Sequence, residues 1–163
     1  MVQTQKSIQD HYSGDGSRCY GCGRLNKDGL HLRSFWNGRE GVATFEPRPY
    51  HIGIPGYLYG GLLASLVDCH GCATAAAAAA AHEAGGPLDA TPLPRYVTAS
   101  LHVDFLKPTP AATLLELRAH VRETRGRKAL VQVTISAAGE IRARGEVTAV
   151  PMPPSWLGNP DGP

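Results

Sequence analysis

Charge is scarce in this 163-residue sequence, and its two signs nearly cancel. Charged residues make up 18 % and the formal net charge is +2, too small to argue for nucleic acid. A locally basic patch for an anionic ligand is compatible with such a balance. Cysteine is scarce as well, with four residues: Cys19, Cys22, Cys69 and Cys72. Two lie in a loop-like stretch and two on a helical one. That is not the spacing of a disulfide scaffold, and a chain of this size needs none. The start, "MVQTQKSIQD", is polar, so no signal peptide is expected. The most apolar run, residues 62–81, contains Asp68 and His70 and is rich in alanine, which argues against a membrane span. No internal repeat and no domain boundary is visible. What remains is one soluble domain in a reducing, cytoplasmic setting. Its 42 % hydrophobic content is enough for a real core.

Periodicity divides the chain. Residues 1–18 are polar with two glycines and read as a flexible arm. In 29–47 two short strands flank Asn37-Gly38, a hairpin signal. Residues 48–57 read as a loop. From about Leu58 to about His82 the pattern is helical, with Leu62, Leu63, Leu66, Val67, Cys69 and His70 on one side of the wheel. Ala75–Ala81 is an unbroken alanine run, which favours helix and lets another backbone come close. Residues 83–94 form a connection. Four alternating segments follow, at 96–108, 113–123, 128–137 and 140–150, each with one face to be covered. Residues 151–163 are a Pro-rich tail. This order predicts an α+β fold, a curved antiparallel sheet wrapped around one long central helix, with residues 19–150 as the domain. A sheet covered on one side leaves edges to be paired, so a homodimer is expected.

One residue disturbs this pattern. Asp68 lies among leucines, alanines and glycines, on the side of the wheel lined by Ala64, Ser65, Gly71 and Cys72. By itself it could be a solvated carboxylate on an amphipathic helix. The same helix opens with Gly60-Gly61, where free N–H groups and a partial positive charge can polarise a carbonyl. Gly61 and Asp68 are about 10 Å apart along one helix at ~1.5 Å per residue. They meet at one carbonyl only if two such helices lie antiparallel across a dimer, with two sites per pair.

These residues carry a resemblance. "PGYLYGGLLASLVD" (55–68), "YVTASLHVDFLKPTP" (96–110), "RGRKALVQVTI" (125–135) and an N-terminal "CYGCG…GLHL" resemble, in order and spacing, the hotdog-fold acyl-CoA thioesterases. The likeness is to the phenylacetate-pathway-like branch and the thioesterase-superfamily-member proteins, over residues 19–150. It implies a hotdog fold and hydrolysis of an acyl-CoA or acyl-carrier-protein thioester to an acid and a thiol. It places Asp68 as the group that activates water or attacks directly. Gly61, with Gly60, holds the thioester oxygen, and Thr98 on the next strand positions water. Tyr59 stands where that family has His, and it lines the acyl entrance. Arg125, Arg127 and Lys128 match a position that would meet the phosphates of coenzyme A. Ser65 and His51, the latter in the loop before the site, are further candidates for substrate contact, and Lys107 and Arg95 are weaker candidates for the coenzyme A phosphates. A homodimer or a dimer of dimers is implied, with no nucleic acid, membrane, metal or separate cofactor.

Two alternatives stand beside hydrolysis. Tyr59 in place of His suits a non-hydrolytic acyl-thioester binding protein. A hotdog dehydratase or hydratase would want a His paired with an acid, for which only His70 or His51 could be invoked. His70 points to the apolar side and reads as a core or interface residue. Cys19-x-x-Cys22, with His11 and His31 near in sequence, is one pair of thiols where structural zinc takes four ligands. It reads as a glycine-rich turn, and Cys69 and Cys72 read as small packing residues.

Overall fold

A computed structural model of the chain describes residues 6–84, 88 and 93–156. Eight strands and one long helix follow in the order β1 (Ser34–Trp36), β2 (Gly41–Phe45), β3 (Ile52–Ile54), β4 (Tyr57–Leu58), α1 (Gly60–Ala84), β5 (Tyr96–Phe105), β6 (Leu115–Arg125), β7 (Lys128–Ala137) and β8 (Glu140–Pro151). Six strands form one antiparallel sheet in the order β1-β2-β6-β7-β8-β5. This is the α+β hotdog architecture expected from the sequence, with α1 lying in the curve of the sheet. The expected connection at 83–94 and the end of the Pro-rich tail fall mostly outside the described residues.

Alternation explains the sheet. In β7, Val131, Val133 and Ile135 are fully buried while Gln132, Thr134 and Ser136 are half-exposed. Leu115, Leu117 and Ala119 of β6 and Ala143, Val147 and Ala149 of β8 complete the covered face. Tight turns join these strands, with Gly126 (φ 58°) and Gly139 (φ 76°) in the left-handed region that favours glycine.

α1 meets this face through small residues. A Cβ on Gly71 would lie 2.6 Å from Cγ2 of Val147, and one on Gly145 would collide with Val67. Ala73, Ala75, Ala76 and Ala77 are buried along the same helix. Its span Gly60–Glu83 is long and apolar enough to cross a membrane, but most of it is buried inside this fold. His70 is wholly buried: its Nδ1 accepts from the Ser34 hydroxyl (2.8 Å) and its Nε2 donates to the Gly41 carbonyl (3.2 Å). Burial lowers its pKa to about 4, so it stays neutral.

Three features differ from expectation. Residues 7–18 do not behave as a flexible arm. Ile8 and Gln9 are buried and Tyr12 is nearly so, in a cluster with Ala73, Ala77 and Leu93. The Gln9 side-chain carbonyl accepts from the Ser34 N–H (2.8 Å) and ties the segment to β1. Two apolar anchors are too few to leave a periodic trace. The loop at 48–57 contains the ribbon β3–β4, pinned by Leu58 N–H to Thr109 O (2.9 Å) and Ala111 N–H to Gly56 O (2.9 Å). Last, β5 is an edge strand, and its apolar alternation is uncovered in a single chain: Leu101 and Phe105 are 40 % and 56 % exposed.

The helix–sheet contact is testable. Helix propensity alone favours Gly71→Ala by about 1 kcal/mol. Overpacking against Val147 instead costs about 1–3 kcal/mol. We expect Gly71→Ala to lower the urea midpoint at unchanged slope.

Candidate active site

Asp68 is the ninth residue of α1, one turn before Cys72, so both side chains share a face. That face looks toward β5 and the turn at 19–23. The Thr98 hydroxyl donates to Asp68 Oδ1, and the Cys72 thiol sits 3.1 Å from the same hydroxyl. Thr98 can reach inward because the β5–β8 register slips between Thr98 and Ser100. The carboxylate is half-buried at a cavity of about 200 Å³ that also touches Tyr12, Arg95, Tyr96 and all four cysteines. Burial pushes its pKa above the usual carboxylate value, and the Thr98 hydroxyl opposes that shift.

The helix start is built by the ribbon before it. Tyr59 N–H donates to His51 O (3.0 Å), and Leu62 N–H to Tyr59 O (3.1 Å). In the first turn of a helix the N–H groups have no intrahelical acceptor. Gly60 faces the Phe105 ring: a Cβ there would stand 3.4 Å from its Cζ. At Gly61 a Cβ would meet the Tyr59 ring, so the phenol folds back over Gly61, and a larger residue there would displace the exposed ring. Tyr59 is nevertheless 58 % exposed. Ser65 donates to Gly61 O (2.8 Å), closing the first turn instead of pointing its hydroxyl into the cavity.

The basic residues stand at one end of the sheet. Arg125, Arg127 and Lys128 are exposed on the β6–β7 hairpin, and Arg125 pairs with Glu123 (2.7 Å). Ala129 pairs with Ala149, and Ala149 with Thr98. The hairpin therefore emerges two strands from Thr98, or about 10 Å across the sheet. Arg127 is close enough to act electrostatically on the Tyr96 phenol, which lines the Asp68 cavity. Lys107 pairs instead with Glu140 (3.2 Å).

His51 belongs elsewhere. It stacks on Phe45, accepts from Arg48 N–H (3.0 Å), and lines a larger cavity of about 390 Å³ with Lys27, Arg33 and Arg48. Burial and Arg48 lower its pKa. Size alone would favour this larger cavity. We favour the smaller one, because the half-buried carboxylate with a bonded hydroxyl is there. In one chain the structure thus brings together Asp68, Thr98 and Cys72, and separately Tyr59, Gly60, Gly61 and Ser65. Arg95, a minor candidate from sequence, lines the Asp68 cavity beside Tyr12, with its Cζ 4.3 Å from that ring centroid. The sequence reading missed Tyr12 and Tyr96 as cavity residues; Tyr12 lies in no motif, and Tyr96 opens the 96–110 motif without a chemistry of its own to mark it.

Comparison with known proteins places this arrangement. The thioesterase superfamily model matches residues 55–143, from the β3–β4 turn into β8. A thioesterase superfamily protein of Shewanella loihica is 41 % identical, covering 89 % of this chain and 99 % of that one, with a TM-score of 0.64. The PaaI protein of the E. coli phenylacetic acid degradation operon shares the fold at 18 % identity and a TM-score of 0.60, over 76 % of this chain and 81 % of that one. The acyl-coenzyme A thioesterase THEM4 of Xenopus laevis is 28 % identical over 77 % of this chain and 52 % of its own length. The chain spans about half the length of the curated relatives it matches.

Because the Tyr59 side chain is mostly outside the core, Tyr59→His should leave unfolding free energy within about 0.5 kcal/mol of wild type. Chemical denaturation checks this. Kinetic changes in that variant then report on the helix start and not on stability.

Proposed function

The chain belongs to the thioesterase superfamily, and from that premise we propose that it hydrolyses acyl thioesters of coenzyme A. The observation that carries the reading is Asp68: a half-buried carboxylate, held by the Thr98 hydroxyl, at a cavity beside the central helix. A carboxylate so fixed can take a proton from an attacking water, or attack the thioester carbon itself. The Thr98 hydroxyl orients it and is placed to hold the water.

The oxyanion needs a donor, and the first turn of α1 supplies N–H groups with a partial positive charge. Gly61 of the same chain is too far along the helix to serve the carbonyl that Asp68 attacks. The reaction is therefore assigned to a homodimer, with Asp68 from one protomer facing Gly61 of its partner. The unpaired edge of β5 and its exposed Leu101 and Phe105 support such pairing. In this reading the water adds to the carbonyl as its proton passes to Asp68. The tetrahedral oxyanion rests on the Gly61 N–H, then collapses with loss of the thiolate, which is protonated to the free thiol. Arg127 and Lys128, at the same end of the sheet as Thr98, suit the phosphates of coenzyme A.

One observation favours a second reading. The Tyr59 ring folds over Gly61, where a phenol could cover the amide and leave a protein that binds thioesters without cleaving them. No comparable feature favours a dehydratase, since His70 has both ring nitrogens engaged in the core.

Thiol release from short, long and aromatic acyl-CoAs tests hydrolysis. We expect Asp68→Asn to lower kcat by roughly 10²–10⁴-fold at unchanged fold. Equal rates in both proteins would overturn the role of Asp68. Thioester binding without turnover in either would establish the second reading. Replacing Arg127 and Lys128 with alanine should raise KM for acyl-CoA about 2–5-fold per charge, as for exposed ion pairs. It should leave KM for the matching acyl-pantetheine unchanged.

A further inference from the structure

Cys19, Cys22 and Cys69 come from two distant parts of the chain, yet their three sulfurs lie within 4.8 Å of one another. The first two sit on the turn Cys19-Tyr20-Gly21-Cys22-Gly23; the third is on α1, next to Asp68 in sequence. Their geometry is specific. Cys19 Sγ and Cys69 Sγ are 3.8 Å apart. Around a tetrahedral ion with metal–sulfur bonds of about 2.3 Å, neighbouring sulfurs are about 3.8 Å apart.

The turn is shaped around this cluster. Gly23 N–H donates to Cys19 O (2.7 Å), and the flanking chain closes through Leu25 N–H to Ser17 O (3.0 Å). A Cβ at Gly21 would collide with the Cys69 sulfur. At Gly23 it would meet the Cys19 and Ser17 backbones. Glycine is therefore required twice, once because a sulfur needs the space. Behind Cys22, the Arg95 guanidinium donates to its sulfur at 3.9 Å. Arg95 is itself stacked on the buried Tyr12 ring. No histidine joins the group among the described residues.

We propose that Cys19, Cys22 and Cys69 bind one zinc ion, with its fourth position open to the cavity that holds Asp68. Zinc takes thiolate ligands in tetrahedral sites, and three protein ligands leave one place for water or another small donor. Binding releases the thiol protons to solvent. Three thiolates and one divalent ion leave a charge of −1, which Arg95 offsets from outside the ligand shell, where such contacts tune affinity. The ion clasps the N-terminal turn to α1 beside Asp68. It revises the sequence reading of a lone Cys19-x-x-Cys22 pair without metal. It does not depend on the thioesterase assignment.

The test uses the full chain, reduced and stripped with a chelator. Titration with Zn²⁺ should leave one equivalent per chain after gel filtration. Titration with Co²⁺ should give thiolate-to-cobalt charge transfer and the visible bands of a tetrahedral ion. Cys19→Ser and Cys69→Ser should each abolish stoichiometric retention, and Cys72→Ser should keep it. The proposal is overturned if the reduced wild type retains no zinc, if its cobalt form lacks charge transfer, or if Cys19→Ser retains a full equivalent. The cobalt spectrum is read on the unmutated chain, so misfolding of a variant cannot imitate either result.

Discussion

Between α1 and the sheet there is less room than most side chains would need. Gly71 lies against Val147 and Gly145 against Val67, and the buried alanines that follow keep the helix at that distance. A larger residue at either glycine would push the helix out of the curve. The close approach has a chemical consequence. The neighbouring face of α1 also carries small residues, Ala64, Ser65 and Cys72, and there a carboxylate can come near another strand. Asp68 reaches Thr98 because α1 and β5 are this close.

Burying a carboxylate is unfavourable unless it is hydrogen-bonded. Here one hydroxyl supplies the bond and an open cavity supplies solvent, so the carboxylate is neither stranded nor fully screened. Its raised pKa is the mark of that compromise. Three segments meet at the spot: the turn at 19–23, the middle of α1 and the start of β5. The N-terminal turn is held there by ordinary means as well, since Leu30 N–H bonds Tyr20 O (2.7 Å) and Leu32 N–H bonds Gly21 O (3.0 Å). A metal clasp would add to an arrangement already fixed by backbone hydrogen bonds.

The two halves of the proposed chemistry are separated by the helix that carries them. Gly61 and Asp68 are seven positions apart on one helix, and no bending of a regular helix brings them together. The uncovered apolar edge of β5 expresses the same incompleteness. In the proposed homodimer, the activity would draw on that edge, where a second chain would pair.

Much of this was legible in the sequence, for local reasons. Alternation along β6, β7 and β8 and the helical spacing around Leu62–Val67 follow from periods of 2 and 3.6, which tertiary context did not override. Asp68 stood out because a lone carboxylate breaks an apolar pattern, and Gly60-Gly61 marked the helix start. Other features had no local signature. Residues 7–18 pack through Ile8 and Tyr12 and a few buried polar residues, Ser7, Gln9, His11 and Ser17, which make no apolar period. The Tyr59 ring over Gly61 depends on a rotamer that no spacing encodes. The cysteines are the clearest case. Cys19-x-x-Cys22 was visible as one pair, but Cys69 joins it only because α1 lies where the sheet's curve places it. Local periodicity determined which segments are helix and strand and which carboxylate is out of place. Only the tertiary packing decided which distant side chains share a cavity, because proximity across the chain is set by the distance at which helix and sheet can pack.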